Sequence, residues 1–475
     1  MIKLFRLIAI CVGVIIIFYL LSLAQYPQTR YIEIKNANTI NSYISYGGKP
    51  LLAFGPGDEW KLMAYSHRPE RYIRWANWQL KNGMNLIRCY PNLVHKEGTI
   101  EPFFRNRDGS YDLDNWNDRY FKSISGFFRY LNKRGIIVHL QLWQVVNFKP
   151  GKNRWDICFY NPKNNNTAWA KDFKKGKDFF ESAEDKSHPA YLHQREWVRR
   201  ILDATRGCGN VFIDVMNELG NAGIGRMKWA HEIVKEIRSW EKENGEERLV
   251  GVDMVSWSEK EFKEYADDYD LLIFNEPRIK NIKRARVKFL KPVVTVRSND
   301  GGNRWENYIF VSKNHIDHTY QVRGRTLNWR AMMNKVQSIG TYWGETIEQT
   351  DYMELKEYSN WARILRQFWD SIEDYPYLQP NDSIIKSGPG NNKYALISES
   401  EAIFYFEVGP KKHDAIFPPY NTELVLKGWK ECKYEIWDPK NGKLSEAVAK
   451  IKNDILIISL PSFVDDIAIK VLKKK

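Results

Sequence analysis

Between residues 51 and 343 the chain alternates short apolar runs with longer amphipathic stretches. The apolar runs fall at 51–55, 84–91, 136–143, 211–218, 249–256, 270–276, 292–297 and 340–343. Most are continuous rather than alternating, the pattern of strands buried on both faces in a parallel sheet. The stretches between them carry helical spacing and end in glycine. In 116–135, Tyr120, Phe121, Ile124, Phe127, Phe128 and Leu131 recur on one helical face, and Gly135 closes the run. Stretches ending at Asn82-Gly83 and at Gly207 read the same way, because glycine takes the left-handed backbone just past a helix. Strand and helix alternating eight times predict a (β/α)8 barrel. An open doubly wound sheet is the competing arrangement, but AFGPGDEW after the first run lacks the glycine-rich phosphate turn usual there.

The flanks break this rhythm. Residues 31–50 read as a hairpin turning on Gly47-Gly48 and covering the barrel floor. Beyond about residue 386, KYALIS, AIFYFEV, TELVLKG, KYEIWDPKNGKLSEA and DILIISLP are short strands with turn residues between them, which predicts a small β-sandwich. Segment 145–186, rich in Asn and Lys, is a long βα loop over the barrel mouth, and loops of that length are commonly functional or mobile. At the N-terminus, Lys3 and Arg6 precede an apolar run over 7–23, and Ser22-Leu23-Ala24 fits a signal-peptidase site. The run is also nearly long enough to span a bilayer. Signal peptide and membrane anchor both remain open for 1–24, and either predicts an extracytoplasmic protein. The expected division is therefore 1–24, a barrel over 25–385 and a sandwich over 386–475.

Composition narrows the function. Of 475 residues 14% are aromatic, with 18 Trp, enough both to fill a large core and to line a groove that stacks on sugar rings. The formal net charge is +14, yet the basic residues are scattered among acids. Nucleic-acid binding needs a concentrated basic stripe on a recognisable module, and neither is present. An anionic polysaccharide or surface is compatible with such a charge. Cys89, Cys158, Cys208 and Cys432 have no metal-site spacing and allow one disulfide at most. Cys11 lies within the N-terminal apolar run. No zinc or calcium loop and no nucleophile-elbow serine is found, so no metal or other cofactor is expected.

Barrel enzymes carry their chemistry at the C-terminal ends of the strands. There the sequence places Asp58, Arg88 with Tyr90, His139 with Gln141 and Trp143, Asn217-Glu218, Asp253, Glu276, Arg297 with Asn299 and Asp300, and Trp343 with Glu345. A carboxyl at the barrel mouth, walled by aromatics, can be held protonated and deliver its proton. That makes Glu218 a proton-donor candidate and Asn217 a partner for a sugar hydroxyl. The bland alternatives stand beside these. Glu218 and Asp58 could simply favour a helix start. Arg88 could be a buried ion-pair partner, His139 a hydrogen-bonded barrel residue and Trp343 core.

With these residues in view, the chain resembles glycoside hydrolase clan A, the (β/α)8 retaining glycosidases that include the cellulase-like families. The resemblance covers most of 45–380. It rests on GGKPLLAFGPGDEW, GMNLIRCYP, VFIDVMNELG and GTYWGE at strands one, two, four and eight, and on the loop FYNPKNNN. The C-terminal EIWDPKNGKL is similar to the small β-domain trailing several such enzymes. The resemblance implies an oligo- or polysaccharide substrate, Glu218 as acid/base and Asn217 as substrate-binding partner. It further implies Arg88 as support for a nucleophile and Trp343 as a sugar platform; His139, Trp143 and Asp58 complete the candidate substrate-binding set.

One departure stands out. The clan's nucleophilic glutamate ends strand seven, and the aligned position in KPVVTVRSNDGG is Arg297. A guanidinium cannot attack an anomeric carbon. The second carboxylate is therefore Asp300, Glu276 or Glu345, or the chain is a carbohydrate-binding barrel without hydrolysis.

Overall fold

The computed structural model describes residues 30–38, 41–55, 60–91, 93–152, 154–219, 226–253, 259–274, 279–296, 318–340, 356–407 and 416–474. Seven of the eight runs supply strands of one parallel sheet, and its eighth strand lies earlier than the expected 340–343, of which only Gly340 is described. Its strands are Ala53–Gly55, Leu86–Cys89, Ile137–Gln141, Val211–Asp214, Leu249–Asp253, Leu271–Phe274, Val293–Thr295 and Val336–Gly340, barrel strands one to eight. Their order around the sheet is one, eight, seven, six, five, four, three, two. Strands one and two complete the ring through Asn85, whose N–H donates to Phe54 O at 3.0 Å while its Oδ1 accepts from Phe54 N at 3.3 Å. Arg366 clamps the same seam, donating to Leu52 O and to Asn85 Oδ1. Glycine is required at 55, because a Cβ there would lie 2.4 Å from Leu86 O. The fold is an eight-stranded (β/α)8 barrel followed by antiparallel sheets, as the sequence predicts.

Period-two alternation along the strands divides their side chains. Ile87, Cys89, Val138, Leu140, Val211, Ile213, Val250 and Val252 face the helix layer and join its core. Leu86, Ile137, Phe212, Leu271, Ile273 and Val294 fill the lower barrel interior. Nearer the mouth on these inward faces lie Arg88, His139, Gln141, Asp214 and Asp253, all buried, while Val296 above Val294 stays apolar. The interior thus changes from apolar at the floor to polar at the mouth. Gly251 makes room within it, since a Cβ would meet Ile273 Cδ1 at 2.7 Å.

The hairpin Ile32–Asn38 and Asn41–Tyr46 closes the floor. Ile32 N–H donates to Gly209 O at 2.7 Å, and Gln337 exchanges hydrogen bonds with both backbone groups of Ile44. Ile32 and Ile44 pack directly on the interior apolar cluster.

The C-terminal region is a sandwich. A six-stranded antiparallel sheet contains Asn392–Ile397, Glu401–Glu407, Asp466–Lys473 and Glu431–Asp438, and a smaller sheet contains Tyr420–Val425 and Ile455–Leu460. Phe404, Phe406, Ile467 and Ile469 meet Leu424, Leu456 and Ile458 between them. The other face of the large sheet, with Ile403, Tyr405, Trp437 and Ala468, packs on the barrel core, where Tyr405 stacks on Trp329 at 5.5 Å.

One buried acid at this junction makes stability depend on pH. Glu401 Oε2 accepts N–H bonds from Glu373 and Asp374 at 3.0 and 2.8 Å, while Oε1 is buried without a hydrogen-bond partner. Burial pushes its carboxyl up to about 7, against roughly 4.3 in an unfolded chain. A folded-state pKa raised in this way binds protons preferentially to the native state. The stabilisation is complete below the unfolded value and is lost as pH rises through about 7. Urea midpoints measured from pH 4.5 to 8 should therefore fall with rising pH, and Glu401→Gln should flatten that fall.

Among the described residues no helix is long and apolar enough to cross a membrane, and 1–24 lie outside them. Cys89, Cys158, Cys208 and Cys432 are all buried and unpaired. Among the described residues Trp75, Trp143, Trp197, Trp240, Trp329 and Trp361 are fully buried and serve the core.

Candidate active site

At the mouth, strand four passes from Asp214 through Val215-Met216 to Asn217 and Glu218. Glu218 has φ 57°, the left-handed region that a non-glycine residue enters only when its surroundings hold it there. Two contacts do so. Its N–H donates to Asp253 Oδ2 at 3.0 Å, and Asn217 N–H before it donates to Trp143 O at 3.0 Å. The turn leaves Asn217 buried and the Glu218 side chain partly exposed, at 22%.

Below Glu218 the polar groups form one connected floor. Arg88 Nη2 donates to Asn217 Oδ1 at 2.9 Å, and Gln141 Nε2 donates to Asp214 Oδ2 at 2.8 Å and to Asn217 Oδ1 at 3.3 Å. Asn217 Nδ2 donates to Gln144 Oε1 at 2.6 Å, and Gln144 Nε2 donates to Gln141 Oε1 at 2.7 Å. His139 Nε2 lies 3.3 Å from Asp214 Oδ2, its ring against Phe212. Burial pushes the imidazole below its ordinary range, so it is neutral. Asp214 Oδ1 accepts the N–H groups of Met216 and Asp253, each at 3.2 Å. Asn217 is thereby fixed in orientation from three sides.

Asp253 is the unusual member. It is wholly buried, and its Oδ1 has no hydrogen-bond partner. Burial, and then the nearby Asp214 charge, raise its carboxyl well above the usual range. Its other oxygen, Oδ2, accepts the Glu218 N–H and so holds the turn. Asp253→Asn keeps that acceptor and should shift the urea unfolding free energy only slightly. Asp253→Leu orphans a buried N–H and should lose about 1–3 kcal/mol.

Lys149 approaches from above. Its Nζ lies 3.1 Å from Glu218 Oε2, with 32% of its side chain exposed. It sits in segment 145–186, which is an ordered roof with short helices at Val145–Phe148, Trp155–Ile157, Ala168–Ala170 and Lys177–Glu181. The asparagines that mark this segment satisfy its irregular backbone. Asn161 donates to Trp155 O, Asn164 to Cys158 O, and Asn165 to Phe159 O and Asn161 O. Beneath them Phe148, Tyr160, Phe179 and Phe180 form an aromatic core.

The structure brings Glu218, Asn217, Arg88 and His139 together and places Trp143 away from the mouth. Trp143 does not wall a groove: it is fully buried and packs edge-on against Trp229 at 5.3 Å. The chain leaves strand three after Gln141, so the inward parity that would have aimed residue 143 at the mouth is lost. Arg88 and His139 are buried beneath the site, the one donating to Asn217 and the other beside Asp214, which for His139 is the hydrogen-bonded barrel role that its sequence position also allows. Asp58, Glu276, Arg297, Asp300, Trp343 and Glu345 lie outside the described residues. Gln144 and Lys149 are site residues the sequence reading missed. Gln144 carried a signal, three residues beyond the inward Gln141. Lys149 carried none, being one of several lysines in its segment. Among the described residues no His, Cys, Asp and Glu cluster is arranged to hold a metal.

Known structures share this architecture. A glycoside hydrolase superposes with TM-score 0.59 at 12% identity, covering 94% of this chain and 97% of that one. A family 5 glycoside hydrolase from Bacteroides vulgatus superposes with TM-score 0.56 at 13% identity, covering 93% and 94%. These coverages run through both barrel and sandwich. At such identities the likeness is one of fold. No protein-family model matches the chain, and no curated protein matches it in sequence.

Proposed function

We propose that this protein is an extracytoplasmic glycoside hydrolase acting on an oligo- or polysaccharide, with Glu218 as its proton donor. The observation that carries the reading is the Glu218 carboxyl, partly exposed at the end of barrel strand four over a buried floor that orients Asn217. The fold shared with glycoside hydrolases over nearly the whole chain supports it. Protonation of the glycosidic oxygen would accompany attack by a second carboxylate, or by water that it activates. Asp300, Glu276 and Glu345 are the candidates for that carboxylate, and Asp58 and Trp343 for further sugar contacts. Export rests on the basic start and apolar run of 7–23, whether cleaved or kept as a tether.

A second reading is a carbohydrate-binding barrel without hydrolysis, favoured by Arg297 where the clan carries its nucleophile. Reducing-end release and binding, measured together on a panel of glycans, separate the two. Release by the wild type supports the hydrolase, binding without release supports the second reading, and absence of both contradicts each.

A further inference from the structure

We propose that the substrate is an acidic glycan, bearing a carboxylate or sulfate on the sugar that meets Glu218, and that Lys149 recognises this charge. The inference rests on the hydrolase reading above and narrows its substrate class.

Lys149 is anchored at its backbone and open at its tip. Its carbonyl accepts the Trp155 N–H at 3.2 Å, its N–H donates to Val146 O at 3.3 Å, and the preceding Phe148 is locked among Tyr160, Phe179 and Phe180. Gly176 passes so close to Phe148 that a Cβ there would lie 2.2 Å from Phe148 O. The roof therefore holds the lysine stem over Glu218 while the ammonium reaches the mouth. The same turn exposes Lys152 and Arg154, with Asp156 as its one acid. The chain as a whole carries +14, which draws polyanions toward it.

The ion pair poses a chemical problem that an anionic sugar solves. A proton donor must carry its proton when the glycosidic oxygen arrives, yet an ammonium 3.1 Å away favours the charged carboxylate. A neutral sugar that separates the two offers the ammonium no counter-charge, so the attraction of the pair is lost without replacement. An anionic sugar takes Glu218's place on Lys149, so the pair is exchanged rather than broken. Glu218, released, takes up a proton from solvent and passes it to the glycosidic oxygen. Arg88 donates to Asn217, and Asp214 and Asp253 accept backbone N–H groups, so among the described residues Lys149 is the cation that meets the Glu218 carboxylate.

Three oligosaccharides of one backbone, neutral, uronate-bearing and sulfated, test this on wild type, Lys149→Met and Lys149→Arg. The wild type should favour a charged member over the neutral one by about 10-fold or more in kcat/KM, the scale of one charge-assisted hydrogen bond. Which charged member wins identifies the group. Lys149→Met should bring the ratio near one, and Lys149→Arg should retain most of it, a rescue that a folding defect would not give. A ratio unchanged in Lys149→Met, or a wild type preferring the neutral sugar, overturns the inference and leaves the hydrolase reading intact. A wild type that neither binds nor cleaves any of the three overturns the underlying reading instead.

Discussion

Glu218→Gln should lower kcat by about 10²–10⁴-fold, the usual contribution of a positioned general acid, with little change in unfolding midpoint. Glutamine keeps the shape of the side chain and cannot deliver a proton. The backbone contacts that hold residue 218, from its N–H to Asp253 and from Asn217 N–H to Trp143 O, do not involve the side chain and persist. Substrates with a good leaving group need less protonation, so the deficit should shrink sharply for aryl glycosides. Steady-state kinetics on a natural glycan and an activated one measure both effects. A uniform loss on the two substrates would point to disturbed binding rather than a missing acid.

The second large effect concerns the junction between barrel and sandwich. Arg325, on the barrel helix His318–Met333, donates from Nη2 and Nε to Asp466 Oδ1 at 2.7 and 3.1 Å. Tyr405 Oη donates to Asp466 Oδ2 at 2.9 Å. Both partners are buried, at 3% and 1% exposure. Arg325→Met strands the carboxylate and should destabilise the protein by about 3–5 kcal/mol, whereas an apolar replacement of both partners should recover only part of that, because Asp466→Leu leaves the buried Tyr405 hydroxyl without its acceptor. Urea unfolding of Arg325→Met and of Arg325→Met with Asp466→Leu checks the pair. Equal losses in the two variants would mean that packing, not the unpaired charge, is what Arg325 supplies. Arg330 with Glu407 is a parallel pair nearby, so the two domains are joined by buried polar contacts as well as by Trp329 and Tyr405.

The barrel was legible because strands covered on both faces carry apolar residues on successive positions, and 86–89, 137–141 and 211–214 are buried at every position. The inward polar layer was legible in part. Parity carries Ile137 to His139 and Gln141, and Phe212 to Asp214, yet the sequence reading fixed on Glu218 and gave Asp214 no role. Parity also misled at Trp143, because it holds only while the chain remains in the strand. Glu218 itself is reached through a left-handed turn that no local pattern announces. Lys149 was invisible for a different reason. Its place over Glu218 depends on the aromatic core around Phe148 and on asparagine-to-backbone bonds within a segment whose composition suggests only a solvated loop.

Asp253 links the fold to the chemistry. Its carboxyl, pushed upward by burial and by the nearby Asp214, accepts the Glu218 N–H and holds the turn that presents the candidate acid.

The most direct measurement is a crystal structure of the Glu218→Gln variant with an oligosaccharide bound. The account predicts the linkage oxygen within about 3 Å of the residue 218 side chain, the reach of a general acid, with Lys149 turned from it toward an anionic group of the sugar. A sugar bound elsewhere, or a linkage oxygen out of reach of residue 218, would contradict it.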